Sequence, residues 1–558
     1  MTVADYIAQF LVAKGVTHVF GFQGSAMLKM LDAMMLTGKI RYIQNFHEQA
    51  SAFAADAYAR VTGGLGVAIA TSGPGASNLL SGIADAYFDS VPVLFITGQD
   101  YLRNVVNPKG ARQNGFQDMD IVSIVKPITK YSVRLDSPYD VPREFEKAYR
   151  TANEGRKGPV LVDVPIDVQF AEMPLRAIEK FIVEAHRVPD PGRASSTKPL
   201  GEFFAMLRAA ERPVVIAGGG IRSASAIGEF REFIRRTGVP VVATLNGIDV
   251  YERIVGFSGL YGNSAANILL RRSDLVVALG SRFSLKQIGR NRSQYAPGAQ
   301  VVHIDIDERE LGRTFMGDGL NICMDLKRFL ERCLKRSLPK VSMAWRREVR
   351  SLARNLADTV CLNAESVDPV EVVRAVSRCL PLKAVVTVDV GANQMWVAQA
   401  FRAKGWQRLL SSSGFGAMGF SLPAAIGASY RVKAPVVAMT GDGGLQMNLQ
   451  ELNTLSLLKR NVKLFVFNNG SLGLMRDVQR RYYKSHFYGN NATEFSCPDL
   501  KGLAKVYGLN YLAVRRKGDL LRIKDVFSDG LPWVVDVALG VDSKVLNRYD
   551  DEALEKHG

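Results

Sequence analysis

The sequence predicts an α/β protein built from three doubly wound parallel-sheet domains, and three observations predict it. Short apolar runs recur along the chain, separated by helix-length segments, a spacing that favours parallel strands covered by helices on both faces. At 558 residues the chain is too long for one core, so several domains are expected. The alternation lapses twice, near residues 171–198 and again after residue 337.

The N-terminus "MTVADYIAQFLVAKG" carries apolar residues at helical spacing, with Thr2 as a cap and Gly15 as a stop; it reads as an amphipathic helix, not a signal peptide. The strands expected next are "VTHVFGF", "RYIQNF", "LGVAIAT", "VPVLFITG" and "GPVLVDVP", all within a first domain of residues 1–170. The segment "VPDPGRASSTKP" reads as a Pro/Ser-rich linker. A second domain, 190–337, holds "RPVVIAGGG", "VPVVATL", "SDLVVALGS" and "QVVHIDID". The basic stretch "VSMAWRREVRSLARNL" is expected as a solvated connecting helix. A third domain, 360–545, holds "AVVTVDVG", "VVAMTGDGG", "KLFVFNNG" and "PWVVDVAL". Ligands in such folds sit beyond the carboxyl ends of the strands.

Composition narrows the function classes. The chain is 47% hydrophobic and 22% charged, as in ordinary soluble globular proteins. No apolar run is long enough to span a bilayer, and nothing marks export, so the cytoplasm is expected. Cys323, Cys333, Cys361, Cys379 and Cys497 form no CxxC, and the six histidines are scattered, which argues against a disulfide framework or a thiolate metal site. The net charge of +17 favours anionic partners. Its basic residues are dispersed and no nucleic-acid motif is present, so an anionic substrate or cofactor is expected instead of nucleic acid.

The most informative stretch is "GDGGLQMNLQELNTLSLLKRNVKLFVFNNG", Gly441 to Gly470. Asp442 and Asn469 each follow an apolar strand and lie 27 residues apart, room for one crossover helix and a return strand. Both should therefore face the same sheet edge. A carboxylate, an amide carbonyl and a nearby backbone carbonyl are hard oxygen ligands, suited to Mg²⁺ that shares its shell with phosphate. Gly441, Gly443 and Gly444 let the backbone approach such a phosphate closely.

This GDG…NN arrangement resembles the thiamine diphosphate motif, and nearly the whole chain resembles the large-subunit acetolactate synthase branch of the thiamine diphosphate enzymes. The matching segments are "NFHEQASAFAADAYAR", "ATSGPGASN", "NGFQDMDIV", "GPVLVDVPIDVQ", "VDVGANQMW", "GFGAMGFSLPAAIGA" and "NNGSLGLMRDVQ". The resemblance implies the thiamine diphosphate enzyme fold, with the pyrimidine side of the cofactor on the first domain and the diphosphate and Mg²⁺ on the third. It makes Asp442, Asn469 and the Ser471 carbonyl the metal ligands. Glu48 becomes the carboxylate that hydrogen-bonds the aminopyrimidine, and Met418 the apolar prop that bends the cofactor. Gly24, Ser72, Pro74, Asn78, Gly391, Ala392, Asn393, Gln394, Gly416, Leu472 and Gly473 complete the expected cofactor contacts. Phe116 and Gln117 are candidates for guiding the steps after decarboxylation of a 2-oxoacid, with pyruvate expected as donor. In this family Glu48 and the metal motif meet across a subunit interface, so a homodimer or homotetramer is implied.

Departures from the family pattern concentrate on the acceptor. Lys286 in "FSLKQIG" stands where the family has arginine, which keeps the charge and loses the bidentate fork. Val478, one turn after Met475, replaces a tryptophan; Ile166 occupies an often basic position; Gln23 in "GFQGS" replaces a proline. Two acceptors stay open on this reading: a second oxoacid, giving acetolactate, or an anionic nucleotide-linked ketosugar. A simple decarboxylase or flavin-linked oxidase is the further alternative. In the middle domain Gly218, Gly219, Gly220, Gly262, Ser281, Arg282, Asp305 and Asp307 lie in segments resembling the family's FAD contacts. The glycines there are equally compatible with plain strand–helix packing.

Overall fold

The computed structural model describes residues 1–105, 111–173, 198–289, 294–311, 319–356 and 367–545. Cys361 and most of the predicted linker fall outside this set. Three all-parallel sheets follow one another along the chain.

The first sheet contains β1 (His18–Gly21), β2 (Arg41–Gln44), β3 (Gly66–Ala70), β4 (Val93–Gln99), β5 (Tyr131–Arg134) and β6 (Val160–Pro165), in the order β2-β1-β3-β4-β6-β5. The second contains β7 (Pro213–Ala217), β8 (Val241–Ala243), β9 (Leu275–Leu279), β10 (Gln300–Asp305) and β11 (Leu320–Cys323), ordered β11-β10-β9-β7-β8. The third contains β12 (Val385–Val388), β13 (Arg408–Ser411), β14 (Val436–Gly441), β15 (Val462–Asn468), β16 (Asn510–Val514) and β17 (Trp533–Ala538), ordered β13-β12-β14-β15-β17-β16. Among the described residues no helix is long and apolar enough to cross a membrane.

Four strands had no apolar run to announce them: β5, β11, β13 and β16. Each is an edge strand. An edge strand is covered less completely, so its sequence tolerates polar residues: "YSVR", "LNIC", "RLLS" and "NYLAV". The central strands β3, β4, β6, β7 and β9 are buried along their whole length and read as continuous apolar runs.

The first helix, Val3–Ala13, begins in a capping box: Asp5 N–H donates to Thr2 Oγ1 and Thr2 N–H donates to Asp5 Oδ2. Gly15 ends it at φ +78°. The helix Met343–Asn355 is docked, not free. Trp345 and Val349 are buried in the core on the middle sheet, and Trp345 Nε1–H donates to the Pro213 carbonyl at 3.1 Å.

The domains are held to one another by buried polar contacts as well as by helix packing. Helix Glu48–Thr62 of the first domain lies against helix Ser421–Ser429 of the third, so close that a Cβ on Gly427 would sit 2.1 Å from the Ala54 carbonyl oxygen. Asp89 accepts from Ser413 N–H at 2.8 Å and Gly414 N–H at 2.9 Å in the third domain, and from Asn246 Nδ2–H at 3.1 Å in the second. Arg60 lies between Asp56 and Asp89 and donates to the Ser411 carbonyl.

Candidate active site

Glu48 opens its helix, and the His47 ring nitrogen caps that end by accepting the Gln49 N–H at 3.1 Å. The Glu48 carboxylate is buried, and its Oε2 accepts from Asn78 Nδ2–H at 3.0 Å. A Cβ on Gly75 would lie 3.2 Å from Glu48 Oε1. Asn78 ends the short helix that Pro74 begins, just past β3. Ser72 is buried in the preceding turn, and Gly24 approaches the same turn, 2.5 Å from Thr71 Cγ2 for an added Cβ. Gly73 at φ +56° abuts Gln117 at φ +57°, leaving 2.9 Å between an added Cβ and the Gln117 Cβ. Glu48, Ser72, Pro74, Asn78 and Gln117 thus surround one loop, while the Phe116 side chain is 77% exposed.

The second cluster lies at the carboxyl edge of the third sheet. β14 and β15 are paired through Gly441 and Phe467, which brings Asp442 and Asn469 to the same edge. Ser471 N–H donates to Asp442 Oδ2 at 3.3 Å and Gly443 N–H to Oδ1 at 2.8 Å. Burial pushes the Asp442 carboxyl up to about 6, against the opposing pull of backbone N–H donors from Gly443, Ser471, Gly470 and Asn469. Asn469 Nδ2 is buried without a hydrogen-bond partner. An added Cβ on Gly443 would meet Leu472 Cδ2 at 2.5 Å and Met418 Cε at 3.3 Å, so both side chains converge on that glycine. Gly444 is hemmed by Thr440 Oγ1 and the Asp389 carboxylate.

The remaining expected cofactor residues gather around this edge. Gly391 at φ +144° precedes helix Ala392–Ala400, whose Asn393 amide donates to the Asp389 carbonyl at 2.8 Å and lies beside Gly441. Gln394 donates to the Ser412 carbonyl at 3.2 Å. Gly473 lies 3.5 Å, measured from an added Cβ, from the Ala392 side chain. Gly416, at φ +80°, and Met418 occupy the loop after β13; Ser412 Oγ accepts the Gly416 N–H at 3.0 Å.

Two polar residues of this edge went unremarked in the sequence. Asp389 ends the β12 run just as Asp442 ends β14, and the same rule of an acid closing an apolar run would have found it. It accepts from Gly419, Ser421 and Val390 N–H and from Thr440 Oγ1, and burial lifts it to about 6. Asn490 is buried, and its Oδ1 accepts from Ser471 Oγ and Leu472 N–H, both at 2.8 Å. It lies in the polar loop "YGNNATE", which carries no local signal.

The five acceptor candidates lie on four separate segments. Gln23 and Ile166 follow β1 and β6 at the edge of the first sheet. Met475, 51% exposed, and Val478 share helix Gly473–Tyr482. Lys286 lines an open cavity of about 850 Å³ to which all three domains contribute, with its Nζ 3.8 Å from an added Cβ on Gly416. Burial lowers the Lys286 ammonium, with Asp89 opposing and Arg282 adding to the effect.

Gly219, Gly220, Ser281, Arg282 and Asp305 also line that cavity. Gly218, Gly262 and Asp307 are outside its lining. An added Cβ on Gly218 would strike the Gly280 carbonyl at 2.0 Å, and one on Gly262 the Gly259 nitrogen at 2.6 Å. Both glycines therefore serve close backbone packing. Asp307 is paired with Arg156 and Arg309, and its carboxyl is held down at about 2, first by the Arg309 hydrogen bond. Among the described residues no group of three or more His, Cys, Asp and Glu is arranged to hold a metal ion.

Three family models match the chain in order: the thiamine pyrophosphate enzyme N-terminal TPP binding domain over residues 1–124, the central domain over 200–333, and the C-terminal TPP binding domain over 389–537. The acetolactate synthase large subunit of Lactococcus lactis subsp. lactis (strain IL1403) is 35% identical over 99% of this chain and 96% of its own. The acetolactate synthase of Arthrospira platensis is 36% identical over 94% of this chain and 91% of its own. The acetolactate synthase isozyme 2 large subunit of Escherichia coli (strain K12) is 33% identical over 97% and 96%, respectively. Similarity at this level over nearly the full chain, with the domain models in sequence order, means that the chain belongs to the acetolactate synthase family of thiamine pyrophosphate enzymes and is a thiamine-diphosphate-dependent enzyme.

Proposed function

We propose that this enzyme decarboxylates a 2-oxoacid, pyruvate, and joins the acyl unit to the carbonyl of a second oxoacid, giving acetolactate. The observation that carries this is the Ser471 N–H to Asp442 bond. It closes the turn after β15 onto the turn after β14, so that Asp442, Asn469 and the Ser471 carbonyl form one oxygen-rich corner. The Asn469 Nδ2–H donor, buried without a partner, and the glycine at 443 suit a diphosphate at that corner. Mg²⁺ is the cation this donor set favours.

Thiamine diphosphate supplies the electron sink for breaking the bond between the carboxylate and the carbonyl carbon of the oxoacid. The protein's part is orientation and proton control. Asn78 fixes Glu48 Oε2, which aims the carboxylate and keeps Glu48 ready to exchange a proton with the aminopyrimidine ring. Met418 and Leu472 wall the site over Gly443 and exclude water from the reacting end. Gln117, set against the Gly73 turn, and the exposed Phe116 are placed to meet the second carbonyl from another face. Two copies of the chain would complete the site, Glu48 from one copy facing the metal corner of the other. The exposed Phe116 and Met475 suit such an interface.

The cavity of about 850 Å³ is large enough for a dinucleotide and presents Arg282, Ser281 and the Gly219–Gly220 turn, so FAD is the ligand proposed there, in a structural role. A second acceptor reading, a nucleotide-linked ketosugar, is favoured by Val478 and the half-exposed Met475, which leave open space on one helix face.

The test is incubation of purified protein with thiamine diphosphate, Mg²⁺, FAD and pyruvate, following CO₂ and acetolactate together. Equal release of both supports the proposal. CO₂ that stays slow until a nucleotide-ketosugar is added favours the second acceptor. No turnover of pyruvate in either mixture removes pyruvate as donor. Loss of Mg²⁺-dependent cofactor binding in Asp442→Asn tests the metal corner, and sedimentation tests the dimer.

A further inference from the structure

One buried carboxylate of the first domain has no part in the chemistry above, yet it is wired to the Phe116–Gln117 loop. Asp163, on β6, is buried beside Thr97 and Gln99 of the neighbouring β4. Its Oδ1 accepts from Thr97 Oγ1–H at 2.6 Å, and its Oδ2 accepts from Gln99 Nε2–H at 3.0 Å. The same Gln99 Nε2 donates to the Met119 carbonyl at 2.8 Å, while Gln99 Oε1 accepts the Asp100 N–H at 3.0 Å. Asp100 Oδ2 in turn accepts the Phe116 N–H at 3.1 Å and Asn104 Nδ2–H at 2.9 Å.

The loop carrying Phe116 and Gln117 is therefore pinned at two points, Phe116 N–H and Met119 O, and both pins run back to one amide. An amide has two faces of opposite character, and a carboxylate only accepts. Asp163 therefore acts with Met119 O and Asp100 N–H in fixing which face of Gln99 turns toward it. With Nε2 held by Asp163, Oε1 is left to receive Asp100 N–H; with the amide reversed, Nε2 would face that N–H and Met119 O would lose its donor.

We infer that Asp163 and Gln99 are positioning residues for the Phe116–Gln117 loop and thereby set how the second carbonyl is received. The inference rests on the reading of Gln117 as a residue that guides the step after decarboxylation.

The experiment measures ligated product formed per CO₂ released from pyruvate by the full-length enzyme with thiamine diphosphate, Mg²⁺ and FAD. This ratio does not depend on the fraction of protein that is active, so a merely structural role would not move it. Gln117→Ala, Gln99→Met and Asp163→Ala are each expected to lower the ratio several-fold, with cofactor affinity kept within about threefold of the parent. Asp163→Asn is expected to restore it, since asparagine can turn its oxygen to Gln99 and its nitrogen to the Thr97 hydroxyl. Gln99→Met conserves volume and asks the same question should Asp163→Ala fail to fold. A normal ratio in Gln99→Met beside a lowered one in Gln117→Ala overturns this inference alone. A normal ratio in Gln117→Ala overturns the reading of Gln117 and this inference with it.

Discussion

Replacing Gly427 with alanine tests how the first and third domains are docked. The added Cβ would lie 2.1 Å from the Ala54 carbonyl oxygen, where ordinary contact begins at 3.4 Å, and 2.7 Å from the Ala54 carbonyl carbon and Cα. The obstacle is helix backbone, which cannot rotate aside as a side chain would. Relief requires helices Glu48–Thr62 and Ser421–Ser429 to separate by about 1.3 Å. Overpacking of that kind costs about 1–3 kcal/mol. Because Glu48 opens the displaced helix, turnover should fall by about a hundredfold, the effect typical of a 1 Å misplacement. Gly201 is the control: it lies in helix Lys198–Ala209 with nothing within 4 Å of an added Cβ, so alanine there should stabilise by up to about 1 kcal/mol. Urea denaturation and pyruvate turnover measure both. If Gly427→Ala unfolds at the parental midpoint and keeps turnover within threefold, the close helix contact does not hold the site and the reasoning fails.

Three further outcomes are expected. Glu48→Gln should lower CO₂ release by about 10²–10⁴-fold while leaving the cofactor dissociation constant nearly unchanged; a drop confined to cofactor affinity would contradict its proton role. Asn490→Ala strips the acceptor from Ser471 Oγ and Leu472 N–H and should cost about 1–3 kcal/mol, raising the Mg²⁺ concentration needed for cofactor binding in a fluorescence titration. Asp389→Asn addresses pH. Burial raises the folded-state Asp389 carboxyl to about 6 from its ordinary 3.8, so the folded protein holds this proton more tightly than the unfolded chain. Parental stability relative to the variant should therefore fall as pH rises from about 4 to about 6, by on the order of 3 kcal/mol, and stay level above; a relative stability that rises across that window in paired melting curves would reverse the sign.

Legibility in the sequence followed how locally each feature is determined. A strand buried on both faces must be apolar throughout, so β4, β7 and β14 were plain to see. β13 and β16 lie at edges, where one side is free and polar residues intrude. The Asp442–Asn469 pair was legible because a parallel sheet brings the ends of adjacent strands to one edge. Asn490 was not, because its value lies in reaching back to Ser471 and Leu472 from a loop with no periodicity. The helix at Met343–Asn355 looked solvated because its charges dominate, yet Trp345 and Val349, one turn apart, are enough to dock it. The glycines of the middle domain supported two readings in the sequence, and Gly218 and Gly262 prove to be required by backbone packing.

Asp89 has a bearing on how this enzyme could be recombined with its relatives. Its carboxylate is shared by Ser413, Gly414 and Asn246, so the seams between modules run through hydrogen bonds and not around them. A chimera that imports a foreign central module, to graft a different ligand preference, must bring an amide at position 246 along with the lining of the cavity. One cut at the module borders without it would lose the Asn246 contacts to Asp89 and Ser413 and loosen the register between the grafted piece and the loop that carries Gly416 and Met418.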